Sequence, residues 1–158
     1  MRTASIQEIK EELSTAKPSE LTALCLRLAR FKKDNKELLT YLLFEAHDEE
    51  GYIRNIKMEV DAQFATINFS QLYYVKKSLR KILRIINKQV RYMGSKQAEV
   101  ELLLYFCTLV KESGIPIERN TVIRNLYYNQ LKKLHVGILS MHEDLQYDYL
   151  KQMKELSE

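Results

Sequence analysis

Four glycines and two prolines punctuate 158 residues. Tight hairpins and frequent turns lean on those residue types, so a many-stranded fold is disfavoured from the outset. Cysteine is almost as rare: Cys25 and Cys107 stand alone, and tryptophan is absent. Two thiols so far apart build neither a secreted disulfide framework nor zinc knuckles. No apolar run approaches the roughly 18 residues that cross a bilayer. The first twenty residues mix Glu and Lys with isolated Ile and Leu and hold no signal-peptide core. Gly-rich phosphate loops, a nucleophile elbow and carboxylates at helical ligand spacing from histidines are all missing. These absences predict a soluble, cytoplasmic protein that is not an enzyme, with no catalytic or cofactor-binding residues, no metal site and no cofactor.

What fills the chain is Ala, Leu, Lys, Glu, Gln and Arg, each of which favours helix. The expected fold is all-α, a single domain over 1–158 of antiparallel helical hairpins, packed as a bundle or a short HEAT-like superhelical stack. Ser5 opens a short helix with Ile6, Ile9 and Leu13 on one face. Pro18 suits the first turn of the next, where its missing N–H costs nothing. That helix and a third, capped by Asp34 or Asn35, are expected to bury Leu21, Leu24, Cys25, Leu28 and Phe31 against Leu38, Leu39, Leu42 and Leu43. Asp48, Ser70 and Ser95 begin the fourth, fifth and sixth helices, and Gly94 and Gly114 end the last two of these.

From about 120 to 156 the pattern predicts one long C-terminal helix. Leu131, Leu134, Ile138, Met141 and Leu145 recur at spacings of three and four, as in a coiled-coil seam. Unbroken, that rod would reach roughly 54 Å. It must therefore protrude, break near Gly137 or pair with another chain, and the seam is the candidate self-association surface.

Charge is distributed unevenly. Between Asp61 and Glu99 there is no acidic residue, while eight cations give that interval +8; the chain as a whole is +4, so all the rest carries −4. At about 100° per residue, Lys77, Arg80, Lys81, Arg84, Lys88 and Arg91 fall in one sector of the fifth helix roughly 100° wide. Leu72, Val75, Leu79, Ile82, Leu83, Ile86 and Val90 take the other side, and Tyr73, Tyr74 and Tyr92 border the cations. Such a row can track phosphates while tyrosines stack on bases. It can dock an acidic protein surface, or pair with the chain's own Glu45, Asp48, Glu49, Glu50, Glu59 and Asp61. Membrane binding is disfavoured, because the apolar side of the helix would have to leave the core.

Other chemistry-bearing residues read as structural. Consecutive residues in His47-Asp48-Glu49-Glu50 point in different directions on a helix, so the string fits a helix end followed by an acidic N-cap better than a metal site. His135 and His142 lie two turns apart, too far to share one ion. Cys25 and Cys107 each sit in an apolar stripe and are expected in the core. Tyr41, Tyr105 and Tyr127 are expected to pack their rings and reach an edge with the hydroxyl.

The segment Leu21 to Ala46 (LTALCLRLARFKKDNKELLTYLLFEA), together with VELLLYFC at Val100 to Cys107, resembles an uncharacterised family of small all-helical proteins of Bacteroidetes-type bacteria. The resemblance covers about 20–110. It implies a bacterial, cytoplasmic setting and an all-helical fold, and it carries no functional residues over. The expected function is that of a non-enzymatic helical interaction or scaffold protein that binds a protein partner or itself. The alternative is a nucleic-acid-binding module using the basic face of the fifth helix.

Overall fold

The computed structural model describes residues 1–158. They form eight α-helices and no strand, divided into two compact units, Met1–Glu45 and Ala46–Glu158. Length alone had suggested one domain.

The first unit holds α1 (Ile6–Thr15), α2 (Pro18–Phe31) and α3 (Lys33–Thr40), the last continued by a wider π-helical turn, Tyr41–Glu45. Ser5 caps α1 as anticipated, in a reciprocal capping box with Glu8. Its carboxyl lies below the usual Glu range because it accepts from the Ser5 backbone and hydroxyl. The cap of α3 differs from expectation. It falls on Lys32, and the Asn35 amide instead donates to Leu28 O at 2.8 Å, closing the end of α2. α2 and α3 pack on each other as a hairpin.

The apolar stripes of this hairpin are not buried. Leu24, Cys25, Leu28, Phe31, Leu38, Leu42 and Leu43 are all exposed, with Phe31 at 79%, and Leu21 and Leu39 are only half-buried. Tyr41 is the only buried residue of the unit. Two short helices joined by one residue present too little opposing surface to enclose side chains of this size.

The second unit is a bundle around α6 (Lys96–Glu112), which packs against α4 (Glu49–Ala65), α5 (Leu72–Met93), α7 (Thr121–Leu139) and α8 (Glu143–Ser157). Here the periodicity and the burial agree. Val60, Leu79, Ile86, Leu102, Phe106, Cys107, Ile123, Leu134 and Ile138 are fully buried in one core, each large side chain contributing about 1.5–3 kcal/mol. Asp48, Ser95 and Asn120 cap α4, α6 and α7 through their side chains. Gln71, rather than Ser70, precedes α5. Gly94 and Gly114 take φ of 60° and 75°, left-handed positions that admit glycine without strain.

The long C-terminal helix does not exist as one rod. α7 ends at Leu139, three residues are non-helical, and α8 folds back along α6 and α7. Of the three alternatives, the break near Gly137 is the one found, two residues further on; Gly137 itself lies inside α7. A Cβ there would meet Val100 Cγ2 at 2.9 Å, so the glycine lets α6 and α7 approach closely. The turn itself is closed by side chains. Ser140 Oγ donates to Gly137 O at 2.7 Å, the Gln146 amide donates to Met141 O at 2.8 Å, and His142 Nδ1 accepts from the Asp144 backbone at the start of α8. Tyr127 OH donates to Leu156 O at 2.8 Å, pinning the far end of α8.

The candidate self-association seam is consequently an internal one. Leu131, Leu134 and Ile138 are buried in the core, Met141 packs against it, and only Leu145 is exposed. Its four-three spacing is real, but the opposing surface is the chain's own α6 and α8.

Candidate functional site

α5 is a 22-residue helix whose two sides differ sharply. Val75, Leu79, Ile82, Leu83 and Ile86 are buried in the bundle. Lys77, Arg80, Lys81, Arg84 and Arg91 are exposed on the other side, together with Tyr73 and Tyr74. Lys88 is half-buried, its ammonium 5.9 Å from the centre of the Tyr92 ring. Lys76, next to the row, places its ammonium 5.4 Å from the Tyr73 ring centre.

The chain's own acids in Ala46–Glu158 do not neutralise the row. Asp48 accepts from the Gly51 backbone, Glu49 from Ser95 Oγ at 3.0 Å, and Asp61 from Tyr105 OH. Burial, and then the hydrogen bond to Asp61, push the Tyr105 hydroxyl up to about 12. The ion pairs of the unit run elsewhere: Lys57–Glu101 at 2.6 Å, Lys96–Glu99 at 2.7 Å and Lys133–Glu99 at 3.0 Å. Burial alone would raise the Glu99 carboxyl. Hydrogen bonds from Lys96 and Lys133 outweigh it and hold the group below the usual range. None of Lys77, Arg80, Lys81, Arg84 and Arg91 is ion-paired with a carboxylate of this unit.

A shallow concavity of about 490 Å³ runs along the face, lined by Tyr73, Lys76, Lys77, Arg80, Leu83, Arg84 and Asn87. Tyr73 was placed at the border of the cations, yet it lines the concavity with them. Four residues before Lys77, it continues the stripe by one helical turn. Asn87 closes the other end, where its side-chain oxygen accepts from Lys133 Nζ of α7 at 3.2 Å. From Lys77 to Arg91 the cations cover roughly 21 Å of helix at 1.5 Å per residue. Guanidinium groups here have donors free for bidentate contacts with carboxylate or phosphate oxygens.

The remaining candidates resolve into structural roles or isolation. Cys107 is fully buried, and burial raises its thiol to about 12, which removes the thiolate a nucleophile needs. Cys25 is exposed rather than in a core. His142 caps α8, and His47 and His135 are exposed. No three of the His, Cys, Asp and Glu side chains come together in a way that could hold a metal ion. No helix is long and apolar enough to cross a membrane. Tyr127 is buried with its hydroxyl satisfied and raised above its ordinary value, first by burial.

One surface escaped the sequence: the uncovered apolar residues of Met1–Glu45, which include Ile6, Leu26, Leu28, Phe31, Leu43 and Phe44. Comparison with known proteins finds no match: no family model, no curated protein and no solved structure.

Proposed function

We propose that this chain is a non-enzymatic helical interaction protein whose α5 face docks an anionic protein partner, an acidic segment or an acidic helix surface. The observation that carries the reading is the exposed row of Lys77, Arg80, Lys81, Arg84 and Arg91, with no carboxylate of its own unit to pair with. Keeping five cations together without counter-charges is electrostatically unfavourable, and an acidic partner relieves that repulsion while its carboxylates gain bidentate guanidinium contacts. The bacterial cytoplasmic setting implied by the family resemblance belongs to the same proposal.

A second reading, a nucleic-acid strand along the same face, is favoured by Tyr73 and Tyr74. Both rings are exposed, edge-to-face with centroids 5.5 Å apart, and Tyr73 lines the cationic concavity. Exposed rings offer bases a stacking platform that an acidic peptide does not need.

Fluorescence anisotropy with labelled polyglutamate and a mixed-sequence single-stranded oligonucleotide, at about 50 and about 200 mM salt, tests both. On the first reading polyglutamate binds, and Arg80→Glu with Arg84→Glu abolishes binding while the circular dichroism is unchanged. On the second the oligonucleotide binds more tightly, and Tyr73→Ala with Tyr74→Ala weakens it about fivefold or more without affecting polyglutamate. If neither probe binds at low salt, the α5 face is not a docking surface.

A further inference from the structure

The spacing of the cations on α5 selects the kind of surface that fits them. Tyr74, Lys77, Lys81, Arg84, Lys88 and Arg91 recur at steps of three, four, three, four and three. This is a heptad stripe with cations where a coiled coil carries apolar residues. All but the half-buried Lys88 are exposed. At about 100° per residue, Lys77 lies opposite the buried Val75, Leu79, Ile82, Leu83 and Ile86, so the stripe follows the outermost line of the helix.

Arg84 and Arg91 set the length scale. Seven residues of helix separate them by about 10.5 Å. A second helix alongside repeats its own positions at the same interval, so two carboxylates seven residues apart can each meet a guanidinium group bidentately. On an extended segment, side chains of one face recur at about 6.7 and about 13.4 Å, and neither distance matches. The stripe also drifts by about 20° around α5 per heptad, the angle at which helices with heptad seams cross. An acidic helix therefore stays in step with the cations over the roughly 21 Å from Lys77 to Arg91.

This chain does not itself carry such a helix. Its acidic residues stand three or four apart only in pairs, such as Glu8–Glu12, Asp34–Glu37 and Asp144–Asp148, and never on three successive turns. A second copy has no surface of matching spacing.

Resting on the reading of α5 as a docking face for an anionic protein, we propose that its occupant is a helix of a different protein, laid along α5 with glutamates at steps of three and four. Charge and spacing together narrow the partner from any acidic segment to one pattern.

Fluorescence anisotropy of labelled peptides on the full chain at about 50 mM salt tests this. In a striped peptide, glutamates recur at steps of three and four on an Ala-rich helical background. A spread peptide of the same composition distributes them around all sides of the helix. A broken peptide is the striped one with a central proline. The striped peptide should bind about tenfold more tightly than either control. Arg84→Gln with Arg91→Gln should remove that preference and, since both residues are exposed, leave the circular dichroism unchanged.

Equal binding of the striped peptide and either control overturns the helical occupant and leaves the anionic docking face standing. So does a preference that survives in the double variant, or a striped peptide that fails where polyglutamate binds. A single-stranded oligonucleotide that binds more tightly than the striped peptide overturns it in favour of a nucleic-acid strand. If neither the peptides nor polyglutamate bind, the helical occupant falls together with the docking reading beneath it.

Discussion

Apolar residues recur at the same helical spacing in Met1–Glu45 and in Ala46–Glu158, but only the second stretch encloses them. Leu24, Leu28 and Phe31 on α2 look in sequence much like Leu103, Phe106 and Val110 on α6. The first three are exposed and the last three are at most 1% exposed. The difference lies in the neighbours. α6 meets α4, α5, α7 and α8, whereas α2 has one short partner, α3. Amphipathic periodicity reports that a face exists; whether it is covered depends on how many other faces the chain can bring to it.

Substitution of a large apolar residue in each unit should break the symmetry most strongly. Phe106→Ala is expected to cost about 3–5 kcal/mol, through lost burial and the cavity left beside Phe64. Phe31→Ala, a similar truncation at a 79% exposed site, should fall within about 0.5 kcal/mol of the wild type. Urea unfolding monitored by circular dichroism measures both, and equal losses would mean that α2 is packed after all.

Gly137→Ala probes the closeness of the second unit's packing. The added methyl meets Val100 Cγ2 at 2.9 Å, and the resulting strain should cost about 1–3 kcal/mol. The same measurement should show the intrinsic gain in helix propensity outweighed.

A smaller effect is expected at Glu99, whose carboxyl lies below its ordinary range. A depressed folded-state pKa contributes stability at neutral pH that is lost as pH falls through and below the unfolded value near 4.5. Glu99→Gln should therefore cost under about 1 kcal/mol at pH 7 and make stability less sensitive to acid below pH 4.5. A variant with an unchanged acid slope would assign that sensitivity to other carboxylates.

Local signals were the most legible part of the sequence. Ser5, Asp48 and Ser95 could be read as caps because a short side chain that accepts from an exposed N–H acts within one turn. The two sides of α5 were legible for the same reason, since 22 residues of consistent patterning fix an orientation. The turn at Ser140–His142 was legible only as one alternative, a break near Gly137, because it contains neither Gly nor Pro and is held by Gln146 and Tyr127, contacts that exist only once α8 has folded back. With that alternative open, an internal seam looked like an interface. The reverse error hid the apolar surface of α2 and α3, where Cys25 had been expected in a core.

The two cysteines, one in each unit, report this asymmetry directly. A thiol-reactive chromogenic probe added to the native chain should modify one thiol per chain, Cys25, in a rapid phase. The second, Cys107, should react only at the rate at which the bundle opens. Two thiols reacting together, in a single fast or a single slow phase, would contradict the division of the chain into an uncovered first unit and an enclosed second one.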